Sequence, residues 1–242
     1  MSTVFELKNV YYSYNKSVPA LTDITFEVKK GEKLILLGAN GSGKSTLLKL
    51  MDNLISPDSG EIWAFGKLLG DKKTFDEYEF RKKVGFVFQD SDVQLFSTTV
   101  FDEISFAPLQ MGLERNKVQK IVEETLNSFG IEKLKDRPPH RLSGGEKKKV
   151  ALASVMVINP EVLLLDEPTN GLDPRSKKWL LEKLQELNKN GTTIVIATHD
   201  LDMAAMLSDR IIVLNENHSI EAIGKPDEIL KDKELLLKVN LI

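Results

Sequence analysis

The chain has 242 residues, a formal net charge of −3 and no cysteine. The acidic balance offers no basic surface, so nucleic acid is not expected as a partner, and a disulfide framework or a cysteine metal site is excluded. The length suits one large domain spanning residues 1–242, and no uncharged stretch approaches the roughly 20 residues needed to cross a bilayer.

Three short amphipathic strands are predicted in the first part of the chain: Val4–Tyr14, Leu21–Val28 and Glu61–Phe65. In the second of these, apolar residues alternate with Thr25 and Glu27, as is typical of an antiparallel sheet with one solvated face. We therefore expect an antiparallel β subdomain made from residues 1–30 and about 60–70.

Tyr14 lies at the end of the first strand and shares a strand face with Tyr12, given the two-residue period of a strand. An aromatic side chain near a nucleotide site can stack on the base. A tyrosine in a strand can equally well cover the core. The spacing alone leaves both roles open.

A phosphate-binding loop is indicated by GANGSGKS, Gly38–Ser45, which matches G-x-x-x-x-G-K-[ST]. An apolar strand, Leu34–Leu37, precedes it, and a helical pattern through Leu54 follows, which is the context that the motif requires. Lys44 is expected to reach the β- and γ-phosphates, and the Ser45 hydroxyl to bind Mg²⁺. The candidate nucleotide-binding residues are Gly38, Ala39, Asn40, Gly41, Ser42, Gly43, Lys44, Ser45 and Thr46.

The middle of the chain changes from strands to helices. A buried strand, Val84–Gln89, is predicted to end on the lone polar side chain of Gln89. Helical patterns follow over Val100–Met111, Glu114–Phe129 and Gly144–Ile158. Because no convincing strand interrupts them, we expect an inserted α-helical subdomain at about residues 90–160.

Two apolar pairs in this insertion have different predicted environments. Leu95 and Phe96 precede the first long helix and follow Gln89, so we expect them to be exposed in a groove. Ile104 and Phe106 lie within that helix and are expected to be core residues.

The sequence LSGGE, Leu142–Glu146, begins the third long helix. Ser143, Gly144 and Gly145 at a helix N-terminus form a second candidate anion site, one that lacks a lysine. Taken alone, the motif is explained better as an ordinary N-cap followed by a glycine turn.

The apolar run Val162–Asp166 predicts a central parallel strand, and two carboxylates, Asp166 and Glu167, lie at its carboxyl end. Asp166 suits Mg²⁺ coordination, and Glu167 suits orienting or deprotonating an attacking water. The alternative is that these acids merely cap a turn.

The last third of the chain predicts a helix that starts at Asp173-Pro174 and runs to about Asn190, with Gly191 ending it. A strand over Thr192–Thr198, a strand over Ile211–Leu214 and a helix from Pro226 are predicted after it. His199 follows the first of these strands. Since open α/β sheets bind ligands at the carboxyl ends of their strands, His199 is a candidate γ-phosphate sensor.

Taken together, the motifs resemble those of an ABC-type ATPase over essentially the whole chain. In the family's order they are Walker A GANGSGKS, the Q-loop Gln89, the signature LSGGE, Walker B VLLLDE, the D-loop Gly171–Pro174 and the switch His199. The resemblance implies an α/β fold with a P-loop NTPase (RecA-like) core, an N-terminal antiparallel β subdomain and an inserted α-helical subdomain.

The resemblance also implies chemistry. ATP is the expected substrate, with Tyr14 stacking on its base and Mg²⁺ held by Ser45, Gln89 and Asp166. Glu167, His199 and Lys44 are the expected catalytic residues.

A head-to-tail dimer is implied in the same way, with a second ATPase subunit that is either identical or different. Ser143, Gly144, Gly145 and Glu146 of one subunit would face the ATP of the other, next to the D-loop Asp173. A transmembrane transporter subunit would dock near Gln89 and the helical subdomain, placing the protein at the cytoplasmic face of the cell membrane.

A narrower likeness appears in VFQDSDVQLFSTTVFDEISFAP, LSGGEKKKVALASV and DEILKDKELLLKVNL. These stretches resemble ATPase subunits of energy-coupling-factor importers, including the cobalt and nickel type, and imply import of a micronutrient such as cobalt, nickel or a vitamin. Glu146 stands where the family often has Gln, Lys149 where Arg is common, and the turn at Asn215–Ile220 lacks the usual glycine. A soluble ABC ATPase acting on a non-transport partner is the alternative.

Overall fold

The computed structural model describes residues 2–71 and 73–242. Its strands are β1 Thr3–Tyr14, β2 Val18–Lys29, β3 Lys33–Leu37, β4 Ser59–Ala64, β5 Lys67–Leu68, β6 Val84–Val87, β7 Val162–Asp166, β8 Thr193–Thr198, β9 Arg210–Leu214 and β10 Ile220–Gly224. Its α-helices are α1 Lys44–Met51, α2 Glu77–Lys83, α3 Ser91–Gln94, α4 Val100–Gln110, α5 Arg115–Phe129, α6 Gly144–Met156, α7 Pro174–Lys189, α8 Leu201–Leu207, α9 Pro226–Ile229 and α10 Lys233–Lys238.

Six strands form the central sheet, in the order β10-β9-β3-β8-β7-β6. The five strands from β9 to β6 run parallel, and β10 pairs antiparallel with β9 at one edge. The inner strands are continuous apolar runs because both faces of a parallel sheet are covered. The carboxyl ends of β3, β7 and β8 therefore meet at one edge, where the predicted site residues follow.

Each face of this sheet belongs to a different core. Ile35 and Leu37 of β3 pack with residues of α4 to α8, whereas Leu34 and Leu36 pack with α1 and the antiparallel strands. All four side chains are at most 1% exposed. The two-residue period of a strand thus connects one short segment to both layers.

The second sheet has four antiparallel strands in the order β2-β1-β4-β5. In β2, Ile24, Phe26 and Val28 are buried while Thr25 is exposed, as their alternation predicts. Helix α1 packs between this sheet and the central one through Leu47. The phosphate loop that precedes α1 is consequently held from both sides.

Between β6 and β7 the chain is helical, with α4, α5 and α6 packed on one another. Val118, Val122 and Leu126 of α5 lie on its buried face, so the predicted helical period is confirmed. The predicted fold class, an α/β P-loop core with an antiparallel sheet and a helical part, is confirmed. In the described part of the chain, no helix combines the length and apolar character needed to cross a membrane.

Several expected element boundaries are wrong. Strand β6 ends at Val87, so Gln89 lies in the following loop. Helix α1 ends at Met51 because Asn53 takes a left-handed φ of 54°, which leaves Leu54 outside the helix and 45% exposed. The helix expected from Pro226 is divided into α9 and α10, and the short helices α2, α3 and α8 were not predicted.

The burial of the two apolar pairs near Gln89 differs from the expectation for one residue of each pair. Phe96 is 66% exposed, as predicted, but Leu95 is half-buried against the core. Ile104 is fully buried, as predicted, whereas Phe106 is 44% exposed. The ring of Phe106 packs edge-on against that of Phe96, with centroids 5.0 Å apart, instead of entering the core.

Candidate functional site

The loop between β3 and α1 has a conformation that requires glycine at two positions. A Cβ on Gly38 would lie 2.6 Å from the Ser42 Oγ and 2.7 Å from the Leu214 carbonyl oxygen. Gly43 has a φ of +103°, and a Cβ there would lie 2.3 Å from the Ala20 carbonyl oxygen. These glycines let the loop wind tightly against β2 and β9, which directs backbone N–H groups inward.

Lys44 is the first residue of α1 and is 5% exposed. Its Nζ donates to the carbonyl oxygens of Gly38 at 2.8 Å and Ala39 at 2.9 Å, so the side chain lies back along the loop. The Nζ is also 3.6 Å from the Glu167 Oε1. Burial lowers the pKa of Lys44, and the nearby Glu167 opposes that shift.

Ser45 and Asp166 meet although they are far apart in the chain. The Ser45 hydroxyl donates to the Asp166 Oδ1 at 2.8 Å, because β7 ends beside the start of α1. Burial raises the pKa of Asp166, and the bond from Ser45 opposes this. Gln89 lines the same pocket as Ser45.

The donor set at this point fits a hard cation. A hydroxyl, a carboxylate and a side-chain amide supply oxygen ligands, which Mg²⁺ prefers together with substrate phosphates. Within residues 2–71 and 73–242, no group of three or more His, Cys, Asp or Glu side chains could hold a metal.

Glu167 follows β7 with a φ of +40°, a strained value for a residue with a side chain. Its N–H donates to the Ala197 carbonyl oxygen at 2.8 Å, which fixes this turn. The carboxylate is buried and accepts a bond at 3.0 Å from the Thr198 hydroxyl, and its other oxygen is 3.0 Å from the His199 Nδ1. The two carboxyl ends of β7 and β8 thus hold one carboxylate in a single orientation.

Lys44, Ser45, Gln89 and Glu167 line an open pocket of about 480 Å³, whereas the predicted site residues Asp166 and His199 contact its lining residues without lining it themselves. Its lining residues are Tyr14, Val18, Pro19, Ala20, Asn40, Gly41, Gly43, Lys44, Ser45, Thr46, Gln89, Glu167, Asn170 and His218. The Tyr14 hydroxyl is 3.0 Å from the Thr46 Oγ1, so the first strand does bring this aromatic to the phosphate loop. The pocket combines an apolar wall, a glycine loop and an acid at a strand end.

The signature residues lie elsewhere on the chain. None of Ser143, Gly144, Gly145 and Glu146 lines this pocket. Ser143 caps α6 and forms a capping box with Glu146, whose carboxylate accepts bonds from the Ser143 N–H at 2.8 Å and hydroxyl at 2.9 Å. These bonds hold the pKa of Glu146 below its usual value.

The two signature glycines have different surroundings. A Cβ on Gly145 would lie 2.3 Å from the Ser176 Oγ, so the start of α6 packs against the start of α7, which Asp173 caps. A Cβ on Gly144 would have no atom of the described residues within 4 Å. The chain's own packing thus requires a glycine at position 145 but not at position 144.

Several residues at or next to the pocket were not identified from the sequence: Val18, Pro19 and Ala20 of its apolar wall, and also Thr198, Asn170 and His218. Thr198 could have been found as the last residue of a buried strand, and Asn170 as a neighbour of the acidic pair. His218 occupies the turn between β9 and β10 with a φ of 60°, in place of the missing glycine. Its carbonyl oxygen accepts a hydrogen bond at 2.8 Å from the Thr22 N–H. Because this contact joins two sheets, no sequence pattern near His218 predicts it.

Comparison with known proteins agrees with this geometry. Residues 21–170 match the family model described as ABC transporter. The chain is 46% identical to the nickel import ATP-binding protein NikO of Rhodobacter capsulatus, over 100% of this chain and 97% of that protein. It is 42% identical to the energy-coupling factor transporter ATP-binding protein EcfA of Methanocaldococcus jannaschii, over 98% of this chain and 85% of that protein.

Among solved structures, cbiO1 from Clostridium perfringens, described as part of the ABC transporter complex cbiONQ, superposes with a TM-score of 0.84. The sequence identity is 38%, and the match covers 100% of this chain and 96% of that one. The predicted family and the predicted ATPase activity are confirmed. The chain therefore belongs to the ABC transporter family of ATP-binding proteins, is an ATPase, and is similar to the family's energy-coupling-factor and cobalt–nickel members.

Proposed function

We propose that this ATPase hydrolyses ATP at two composite sites in a head-to-tail dimer and so powers a membrane importer. The observation that carries the proposal is the separation of the two anion-binding motifs. The pocket around Lys44 contains no signature residue, while Ser143 is exposed and Gly144 faces open space. A second subunit can place its own Ser143 and Gly144 over the phosphates and supply preorganised donors.

Within each site, Glu167 is the residue that activates the attacking water. It is buried at a strand end, and its two carboxylate oxygens are oriented by Thr198 and His199. His199 is about half exposed, so it can reach a γ-phosphate while still bonding to Glu167. The hydrogen bonds to the carbonyl oxygens of Gly38 and Ala39 keep the Lys44 ammonium group at the phosphate loop. When ATP binds, Lys44 donates to phosphate oxygens in place of these carbonyl oxygens.

Ser45, Gln89 and Asp166 are the protein ligands that we propose for Mg²⁺. When bound, the cation neutralises charge on the β- and γ-phosphates. The Ser45 hydroxyl and the Asp166 carboxylate are already in contact, and Gln89 approaches from a loop. A ligand on a loop is suited to report whether nucleotide is present.

Tyr14 is the residue that we propose to stack on the base. It is 41% exposed, lines the pocket and packs edge-on against Tyr12, with ring centroids 5.1 Å apart. Its hydroxyl contact with Thr46 places the ring next to the phosphate loop. The exposure of the ring favours base stacking over a core role.

The apolar surface of Val93, Phe96 and Phe106 is the docking surface that we propose for a transmembrane subunit. Val93 is 73% exposed, and the rings of Phe96 and Phe106, which are 66% and 44% exposed, pack edge to face. The loop is rigid at this point because the buried carboxylate of Glu103 accepts bonds from the N–H groups of Phe96 and Ser97. A membrane partner bound to this apolar surface, which is close in sequence to Gln89, would move when the ATPase dimer closes.

The name NikO favours a metal micronutrient such as nickel or cobalt as the solute, with a vitamin as the wider possibility for the energy-coupling-factor type. Docking on a transmembrane subunit places the protein at the cytoplasmic face of the membrane. The second ATPase subunit is either a copy of this chain or a related one.

Complementation between two inactive variants tests the composite site. In a mixed dimer of Ser143→Arg and Lys44→Ala, both lesions fall on one site if Ser143 acts on the partner's nucleotide, and the other site stays intact. Mixing should then restore ATPase activity that neither variant has alone. No recovery, with mixed dimers demonstrated by differential tags, would mean that Ser143 acts within its own subunit.

A further inference from the structure

A buried lysine connects the signature helix to the loop that carries Gln89. Lys148 lies in α6, after Ser143, and is 4% exposed. Its Nζ donates to the carbonyl oxygen of Phe88 at 3.2 Å and to that of Gln89 at 3.0 Å. These bonds go to the backbone, so the amide side chain of Gln89 is left available for the pocket.

Two further contacts connect the same two segments. The Gln94 side chain accepts a bond from the Phe88 N–H at 3.1 Å and donates to the Ala151 carbonyl oxygen at 3.0 Å. Lys147 forms an ion pair with Asp92 at 2.5 Å. The loop from Phe88 to Gln94 is thus held to α6 at its beginning, middle and end.

Lys148 is buried, although the two residues whose carbonyl oxygens it contacts are not: Phe88 is half-buried and Gln89 is exposed. Burial lowers the pKa of Lys148 to about 8, with Asp90 and Asp166 opposing the shift. Burying an ammonium group at this position costs desolvation free energy. The charge-assisted hydrogen bonds that it forms connect α6 to the loop at Phe88 and Gln89.

We propose that Lys148 is a positioning residue that makes the signature helix and the Gln89 loop move as one body. When the signature motif of a subunit engages the partner's ATP, Gln89 of that same subunit is carried with it, so closure of one site sets the approach of Gln89 at the other. This inference rests on the composite sites proposed above. It assigns a role to a residue outside the phosphate contacts.

The test compares Lys148→Met, which keeps the length and apolar body of the side chain but removes its N–H donors, with two control variants. Lys148→Arg retains donors for the two carbonyl oxygens. Lys149→Met alters the adjacent lysine, whose Nζ lies over the Trp179 ring at 4.7 Å from its centroid. Hydrogen exchange of the peptide spanning residues 85–96 is measured without nucleotide, together with kcat and KM for ATP.

We expect roughly tenfold faster exchange in Lys148→Met, the effect of losing a charged hydrogen bond. We also expect kcat to fall by roughly tenfold with KM for ATP unchanged, since Gln89 is misplaced and not removed. Lys148→Arg should recover much of both, and Lys149→Met should match the wild type.

Unchanged exchange in Lys148→Met, faster exchange with a normal kcat, or equal effects in Lys149→Met would each overturn the proposal. The ATP-dependent dimerisation of Glu167→Gln protein is measured separately. If that dimer does not form, the composite-site function fails, whereas exchange in the nucleotide-free protein still reports whether Lys148 holds the loop.

Discussion

The Nδ1 of His199 lies 3.0 Å from the Oε1 of Glu167, although the two residues are 32 positions apart in the chain. Asp166, which precedes Glu167, pairs with Ala197 of the neighbouring parallel strand. The contact exists because the two strands are parallel neighbours whose carboxyl ends coincide. Glu167 then turns back, at a φ of +40°, to donate its N–H to Ala197. A carboxylate that lines the pocket around Lys44 is thereby brought into contact with an imidazole.

From this relationship we expect Glu167→Gln to bind ATP but to turn it over ~10²-fold or more slowly, the loss that follows removal of a general base. The ATP-bound variant should accumulate as a dimer, detected by size-exclusion chromatography with multi-angle light scattering. Glu161→Gln is the matched control, since Glu161 immediately precedes β7 and forms ion pairs with Lys30 and Lys83. Wild-type turnover in Glu167→Gln would remove Glu167 from its proposed role.

The parts of the site that the sequence predicts are those with a local or topological cause. The left-handed turn at Gly43, with a φ of +103°, is supplied by a glycine of the motif itself, and the meeting of Ser45 with Asp166 follows from parallel strands that end at one edge. These features need only the motif and the rule for open α/β sheets.

The parts that the sequence does not predict depend on packing between distant segments. His218 reaches the pocket because the β9–β10 turn contacts β2, and Lys148 reaches Gln89 because α6 packs against the start of α3. Phe106 lies two positions after the buried Ile104, so it falls outside the helix face that Ile104 shares with Val100, and its ring packs against that of Phe96 at the surface. Apolar periodicity identifies a face of a helix, but it does not say which apolar residue on its border will be covered.

Burial of Asp52 should make the stability of the fold depend on pH. Asp52 is 4% exposed, its Oδ2 is 2.9 Å from the Arg81 Nη1, and its Oδ1 has no hydrogen-bond partner among residues 2–71 and 73–242. Burial raises the pKa of Asp52 from 3.8 to about 7, although Arg81 opposes the shift. Between these two values the unfolded chain releases a proton that the folded chain retains, so this group lowers the stability as pH rises through that window.

Asp52→Asn has no such proton and should gain stability relative to the wild type between pH 4 and pH 8, by on the order of 4 kcal/mol. Urea unfolding at several pH values measures the difference between the two proteins, which cancels the other titrating groups. Asp227→Asn, at a side chain that is 91% exposed, is the control. A wild-type-minus-variant difference that does not change with pH would contradict the raised pKa.

The docking surface predicts a loss of partner binding in Phe96→Asp. The ring is 66% exposed and the backbone beneath it is held by Glu103, so the variant should keep its ATP affinity and its thermal midpoint. Co-purification with the membrane subunits should fall by at least roughly tenfold, as expected for an aromatic hot spot. Leu237→Asp, at a residue that is 59% exposed in α10, should bind the partner normally. Full binding by Phe96→Asp, or misfolding, would place Phe96 outside the interface.

The two signature glycines give a paired prediction about the dimer. Gly145→Ala should lower the free energy of unfolding by roughly 1–3 kcal/mol, because its Cβ would lie 2.3 Å from the Ser176 Oγ and must displace it. Gly144→Ala should unfold like the wild type, since nothing lies within 4 Å of its Cβ. If the partner's ATP approaches this open space, however, the methyl group of Gly144→Ala will obstruct it.

We therefore expect Gly144→Ala to retain ATP binding as a monomer, because the pocket around Lys44 contains no signature residue. In a Glu167→Gln background, the same substitution should weaken ATP-dependent dimerisation, measured by sedimentation velocity over a range of protein concentrations. Gly191→Ala is a control for adding a methyl group at another glycine with open surroundings, although its φ of +102° adds strain there. Dimerisation of Gly144→Ala at wild-type concentrations would show that the space in front of Gly144 does not receive the nucleotide.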